Sequence, residues 1–379
     1  MIIGIDISSV GYQTGVSNYT LNLVRNLLKI DKNNQYKLFF SSLRLPLPED
    51  IRLLTKYHSN VTIFQSKIPP TILQILWNQL RVFPIELFIG KCDIFHTSDW
   101  TQPPTIKAKT ICTIHDLTPF LYPQWHHPKV IKAHKNKMYW ATKKCRYFIC
   151  VSKNTQNDLF NLFPQVNKSK TVVIYESAEE KFSKFLKLSS TEQSHQKEKI
   201  QKQYGLTNFI LAQGTREPRK NLDRLIKAFI CFKKKNPSSK VELAITGKYG
   251  WGKDVAVDHP GVKILGFIPE KDMVALHASA LCLAYPSLYE GFGLPIVKSL
   301  KVGVPVITSN NSSLVEVAQG AAILVNPNSE IEISKAIEKI IKYPKLRKKM
   351  AQNGIILAQK YSWLKTAKET LQIYNSLSC

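Results

Sequence analysis

The sequence predicts an α/β protein made of two doubly wound domains. Three observations carry this. Short apolar runs alternate with amphipathic stretches, a polar segment interrupts the alternation once, and the same rhythm then restarts. A length of 379 residues also fits two domains better than one.

The first domain is expected over residues 1–180. IIGIDI reads as a strand, NYTLNLVRNLLKI as a helix and YKLFFSS as a strand. CDIFHTS, TICTIHD, YFICVS and TVVIYES are further strand candidates, with helical pieces such as SKNTQNDLFNLF between them. The stretch EEKFSKFLKLSSTEQSHQKEKIQKQYG is rich in charge, Ser and Gln, and reads as a connector that becomes a surface helix. A boundary is therefore expected near residues 180–200. The second domain is expected over 200–360. NFILAQG, KVELAITG, VKILGFI, LCLAYPS, VPVITSN and AAILVNP are its strands, and NLDRLIKAFICFKKK, EKDMVALHASA and SEIEISKAIEKIIKY are among its helices. Two last helices lie beyond the sheet. The terminal one, over 361–379, spaces Trp363, Leu364, Leu371 and Tyr374 on one face that must be buried against something. Two such domains are expected to face a central cleft where the carboxyl ends of the strands meet and ligands bind.

Composition narrows the function classes. No run of eighteen apolar residues exists, so no bilayer-spanning helix is expected. MIIGIDISS enters a strand with no basic leader, which argues against a secretory signal. Seven cysteines without CxxC or His-rich spacing read as reduced core thiols, and a cytoplasmic protein is expected. The net charge of +26 points to a polyanionic partner, or to lysine-rich usage spread over the surface. Between Thr101 and Cys150, nine basic residues face a single acid, Asp116. In the 127–146 segment Val130, Ile131, Met138, Tyr139 and Trp140 alternate with lysines. Two readings stand there: a basic amphipathic helix on an anionic membrane face, or a half-buried helix with a solvated lysine side.

Four stretches carry chemistry. In FILAQGTREPRKNLDRLIKAF a strand ends at Gln213, and Gly214, Arg219 and Lys220 precede a helix start. A planar fork and a point charge there suit a diphosphate. In LCLAYPSLYEGFGLP, Gly291 and Gly293 let backbone approach a ligand, Pro295 opens a helix, and Glu290 offers a carboxylate to sugar hydroxyls. In TIHDLTPFLYP, His115 and Asp116 end a strand, where the imidazole can bond a hydroxyl or a phosphate or be a satisfied structural histidine. In DISSVGYQTGVSNYTLNL, Thr14, Gly15 and Val16 read as a flexible loop before a helix, presenting amide protons to an anion.

Taken in order, these strings resemble the retaining glycosyltransferases of family 4, whose fold is the two-domain GT-B architecture. The resemblance runs from TGVSNYTLNL through HDLTPFLYP, GTREPRKNLDRLIKAF and SLYEGFGLPIV to GVPVITSNNSSLVEVAQGAAILVNP. It implies transfer of a sugar from a nucleotide-sugar donor, which is a substrate and not a cofactor, with no metal and no DxD motif. It implies that Arg219 and Lys220 hold the donor phosphates. Glu290 and the backbone of Phe292, Gly293 and Leu294 would contact the transferred sugar, with His115 near it. Gly15 would lie near the phosphates or the acceptor, with Thr14 and Asp116 on the acceptor side. The terminal helix would pack back on the first domain.

One position departs from the pattern. The family has a second glutamate eight residues after the first, accepting from the nucleotide ribose, and this chain has Lys298. An ammonium only donates, so that pairing is unmet. Three readings follow: a weaker ribose contact, an unusual donor, or a catalytically impaired GT-B protein that binds a glycan or partner. On the first, Lys298→Glu tightens donor binding. A sugar phosphorylase and a nucleic-acid binder are further rivals, though the latter lacks any recognition signature. The strings around EPRKN and SLYEGFGLP look most like mannosyl- or rhamnosyltransferases of polysaccharide or lipopolysaccharide synthesis. GDP-mannose is thus the first donor to test, with a glycan or lipid-linked acceptor at the inner membrane face.

Overall fold

The structure is a computed structural model that describes residues 1–12, 14–252 and 259–377. Two compact units emerge, Met1–Glu176 with Trp363–Cys379, and Ser177–Ser362. Cys379 lies outside the described residues. The six described cysteines are free, and four of them are buried.

Unit 1 is built on seven strands: β1 (Ile2–Asp6), β2 (Gln35–Ser41), β3 (Val61–Ser66), β4 (Ile94–Thr97), β5 (Lys109–Ile114), β6 (Cys145–Cys150) and β7 (Thr171–Val173). They pair in parallel in the order β3-β2-β1-β4-β5-β6-β7. Parallel strands are covered on both faces, so their apolar runs are continuous and not alternating. All four residues of β4 are buried. The sequence reading passed over β3 for the converse reason. It is an edge strand with one fully buried residue, so its apolar signal is weak.

The helix Gly15–Ile30 packs Tyr19, Leu23, Val24, Leu27 and Leu28 into the same core as Trp363, Ala367 and Tyr374 of the terminal helix Trp363–Ser376. That helix is also tied by polar contacts. Thr366 donates to the Tyr175 carbonyl at 2.7 Å, and the Tyr374 hydroxyl lies 2.7 Å from His96 Nδ1. His96 Nε2 is 2.8 Å from the Thr113 hydroxyl. Burial, with the charges of His115 and Lys137 adding to it, pulls the imidazole down to about 3.

Unit 2 carries β8 (Phe209–Gln213), β9 (Glu242–Thr246), β10 (Val262–Gly266), β11 (Cys282–Tyr285), β12 (Val306–Ser309) and β13 (Ala322–Val325). These are parallel in the order β10-β9-β8-β11-β12-β13. The helices Leu222–Lys235 and Glu330–Lys342 share one core on this sheet. Residues 180–200, read above as a connector that becomes a surface helix, fold within this unit, and the expected helix is present. Phe182 and Phe185 are buried, and the helix Ser190–Tyr204 opens on a capping box between Ser189 and Glu192. Tyr204 fastens it by donating to Asp272 at 2.8 Å.

The basic segment forms the helix Pro128–Lys144 in unit 1. Its apolar side is already covered by the protein: Met138 is buried, Val130, Ile131 and Trp140 are half-buried, and only Tyr139 of the five is exposed. Trp140 donates to the Asn78 carbonyl at 2.9 Å and lies under the Arg81 guanidinium at 4.5 Å. Lys132 and Lys135 face solvent, but Lys137 is 4% exposed and its charge acts on Asp6. Lys137 therefore drops out of any lysine face offered to a membrane. Among the described residues no helix is long and apolar enough to cross a membrane.

Candidate active site

In unit 2 the winding reverses between β8 and β11: β9 and β10 lie to one side of β8, while β11, β12 and β13 lie to the other. Doubly wound sheets bind ligands outside the carboxyl ends of their strands at such a switch point. The loop leaving β8 carries Gly214, Arg219 and Lys220, and the loop leaving β11 carries Glu290 to Gly293.

These residues form one polar cluster. Glu290 Oε1 accepts from Lys220 Nζ at 2.7 Å and from the Tyr285 hydroxyl at 2.7 Å, while Oε2 accepts from Arg219. Arg219 also donates to Glu217 Oε1 at 2.6 Å and to the Tyr289 carbonyl at 3.1 Å. Burial alone would raise the Glu290 carboxyl, but Arg219 and Lys220 outweigh it and hold it at about 2. Burial, then the Arg219 charge, pull Lys220 below the usual lysine range, with Glu290 opposing. Burial and the Glu290 charge push Tyr285 well up, so it remains a protonated donor. Glu290 is thus a carboxylate at neutral pH, with both oxygens engaged by protein donors. It fixes two cations in place at the mouth of a site, which suits a bound phosphoanion.

The backbone around the cluster is shaped by residues that the sequence reading missed. Asn221, at φ +59°, donates to the carbonyls of Pro286 (2.9 Å) and Pro327 (2.7 Å). Ser313 Oγ lies 2.9 Å from the carbonyls of both Glu290 and Phe292, and the Glu290 amide donates to Ser312 Oγ at 3.2 Å. The clue was present in TSNNSSL, a hydroxyl-rich loop at the carboxyl end of β12 beside the glycine loop. Gly293, at φ +110°, begins the turn into the helix Leu294–Lys301, whose first residue Leu294 is half-buried. Phe292 turns its ring onto Tyr361 at 5.7 Å, which leaves its backbone as the part able to meet a ligand.

In unit 1 the winding reverses between β1 and β4. Thr14 and Gly15 follow β1, and the expected flexible loop is instead the start of a helix. Thr14 is its N-cap, in a capping box with Ser17, and Gly15 and Val16 are in the first turn. The sequence reading missed the box because Ser17 stands where Glu or Gln is usual. A Cβ at Gly15 would meet nothing within 4 Å. His115 follows β5, its Nδ1 3.3 Å from Glu176 Oε1 and its ring edge-on to Tyr19 at 4.7 Å. Its Nε2 is buried without a hydrogen-bond partner. Asp116 caps the short turn after it, accepting from the Thr118 amide at 3.0 Å and hydroxyl at 2.6 Å.

Two family models match the chain: Glycosyltransferase Family 4 over residues 13–178 and Glycosyl transferases group 1 over residues 192–356. The chain is a family 4-type glycosyltransferase with the GT-B fold. It is 26% identical over 378 residues to the O-antigen chain mannosyltransferase B of Escherichia coli, covering 96% of each protein. It is 29% identical over 287 residues to the O-antigen chain mannosyltransferase RfbU of Salmonella typhimurium, covering 74% of this chain and 73% of that one. Among solved structures it is similar to Anabaena HepE in complex with UDP and glucose (18% identity, 99% and 100% coverage, TM-score 0.70). It is similar also to WaaG, a glycosyltransferase involved in lipopolysaccharide biosynthesis (14% identity, 98% and 99% coverage, TM-score 0.71).

In this glycosyltransferase Lys298 does not stand alone. It is 4% exposed, with its Nζ 3.7 Å from Glu270 Oε1, 3.8 Å from Glu179 Oε2 and 5.3 Å from the centre of the Phe182 ring. The sequence reading saw the missing carboxylate at 298 but not the two that flank it, because they arrive from 28 residues and more than a hundred residues earlier in the chain.

Proposed function

We propose that this glycosyltransferase transfers mannose, with retention of anomeric configuration and without a metal, from a nucleotide-sugar donor to a growing polysaccharide of the O-antigen type. GDP-mannose is the donor to test first, with a glycan or lipid-linked acceptor. The observation that carries the reading is the Arg219–Lys220–Glu290 cluster at the switch point of unit 2. The mannosyltransferases named above support the choice of sugar.

In this mechanism Arg219 and Lys220 stabilise the charge that develops on the departing nucleoside diphosphate. Glu290, ionised and tied to both cations, is neither proton donor nor nucleophile; it keeps them aimed. The displacement is front-face, with the leaving phosphate taking the proton of the acceptor hydroxyl. His115 accepts from a hydroxyl of the transferred sugar through Nε2, while Thr14, Gly15 and Asp116 stand on the acceptor side.

The test is transfer from GDP-mannose, against UDP-, ADP- and dTDP-sugars, to a lipid-linked glycan, with and without EDTA, the product anomer being read by NMR. Retained configuration, indifference to EDTA and a loss of about 10²-fold or more in Arg219→Ala or Lys220→Ala are expected. An inverted product, loss of activity with EDTA, or another preferred donor sinks the corresponding part.

A further inference from the structure

We propose that Glu270, held by the buried Lys298, accepts hydrogen bonds from the ribose hydroxyls of the donor nucleotide, making this enzyme selective for ribonucleoside over deoxyribonucleoside donors. The proposal rests on the reading of Arg219 and Lys220 as the diphosphate site.

The edge of the sheet beside Lys220 is made of backbone. The lysine stem lies against Gly214, where a Cβ would come within 3.0 Å of Lys220 Cε. The Gly214 amide donates to the Thr246 carbonyl at 3.0 Å, and the Gly247 amide to the Gly266 carbonyl at 2.7 Å. A Cβ at Gly247 would fall 1.8 Å from the Gly214 carbonyl oxygen. The ends of β8, β9 and β10 thus meet through glycine backbone at Gly214, Gly247 and Gly266, a ledge leading away from the cations, with the Lys248 ammonium 4.4 Å from the Phe267 ring just beyond it. At its far end β10 runs through Pro269 into the helix Glu270–Ser279.

Glu270 is the carboxylate at that end. Its side chain is 52% exposed, with Oε2 2.8 Å from Lys181 Nζ and Oε1 3.7 Å from Lys298 Nζ. The same helix is locked to the start of the ledge. His277 Nε2 lies 2.7 Å from Gln213 Oε1, and Nδ1 2.9 Å from the hydroxyl of Ser299, the neighbour of Lys298. Distance between the diphosphate cations and the ribose acceptor is therefore set by one rigid network. A buried ammonium is costly unless paired. Glu179, 18% exposed, faces Lys298 from inside and meets that need, which leaves the exposed Glu270 oriented by two lysines yet open to a ligand. An ammonium cannot accept a diol's hydrogens, whereas a carboxylate can take both.

The experiment is calorimetric titration with UDP, GDP and ADP, then with the 2′-deoxy and 2′,3′-dideoxy forms of whichever binds. The wild type is expected to bind the dideoxy form about tenfold or more weakly, the size of lost hydrogen bonds to a charged group. Glu270→Gln is expected to bind the ribo form as weakly as the dideoxy form, and Glu179→Gln to keep the gap. Equal binding of ribo and dideoxy forms by the wild type overturns the proposal, as does a gap that survives Glu270→Gln. In both cases nucleotide binding that Arg219→Ala abolishes leaves the diphosphate reading standing. If no nucleoside diphosphate binds, or Arg219→Ala binds as the wild type does, that reading fails and this one falls with it.

Discussion

Replacing Lys298 by glutamate restores the family's residue, and from sequence alone it should strengthen donor binding. The structure sets a cost in stability against that gain. The new carboxylate would stand where an ammonium now lies 3.7 Å from Glu270 and 3.8 Å from Glu179. At such distances a unit-charge pair is worth about 4 kcal/mol at an effective dielectric near 20. The Glu270 pair, with that side chain 52% exposed, is screened to about 1 kcal/mol or less. The Glu179 pair is enclosed, so an attraction becomes a repulsion of similar size. Protonation limits the damage, because neutralising one ordinary glutamate at pH 7 costs about 3.7 kcal/mol. Lys298→Glu should therefore destabilise unit 2 by about 4 kcal/mol or more at pH 7, the neutralisation cost adding to the lost attraction. A carboxyl whose folded-state value is raised is destabilising above that value, so the penalty should shrink as pH falls toward about 4.3. Urea unfolding at pH 7 and pH 5, with calorimetric nucleotide binding alongside, measures both effects. A variant as stable as the wild type at pH 7 that also binds nucleotide more tightly would refute the reasoning.

Other expectations follow from the same contacts. Glu290 is held at about 2, below its ordinary 4.5, so its stabilising contribution is complete above the ordinary value and lost only as pH falls toward 2. Nucleotide binding should then show no Glu290 titration between about pH 5 and 9, and an acidic limb near pH 5 that disappears in Glu290→Gln would contradict it. His96 in unit 1 and His277 in unit 2 are both held at about 3 by burial, below the ordinary 6.5. Their contribution is present above 6.5 and lost as pH falls toward 3, so stability should begin to drop below pH 6.5. In His277→Gln part of that slope should vanish, and an unchanged slope would show that the ring carries none of it. Neutralising Lys132 and Lys135 should lower binding to anionic vesicles if the helix Pro128–Lys144 meets a membrane; unchanged binding would remove that role.

Fold class was legible because parallel strands advertise themselves as continuous apolar runs, and ICTI and CLAY are buried throughout. The edge strand β3 was not, since half-exposed segments leave mixed patterns whatever their structure; in the 180–200 stretch the surface helix was legible, but the burial of Phe182 and Phe185 was not. The basic loop of the cluster could be found from Arg219 and Lys220 before a helix start. What could not be read was the partnership inside the cluster. Tyr285 looked like one more core aromatic in a buried strand, yet its hydroxyl is shared between Lys220 and Glu290. Lys298 looked unpartnered for the same reason: a linear pattern records which residue is absent from a position, while the carboxylates of Glu179 and Glu270 that flank it come from segments distant along the chain.

The cluster also separates two uses of charge. Arg219 and Lys220 face Glu217 and Glu290, so the four formal charges cancel, and the site can stay enclosed before a donor arrives. A neutral cluster does little to draw an anion from a distance. The net +26 of the whole chain supplies that attraction, and it is screened by salt over about 8 Å at physiological ionic strength. Raising salt from about 20 to 300 mM should therefore slow nucleotide-sugar association several-fold while leaving the dissociation rate nearly constant. Stopped-flow binding separates the two rates. A dissociation rate that rises with salt as steeply as association falls would show that the cations at the switch point are exposed to the solvent ions, and that Glu217 and Glu290 do not shield them.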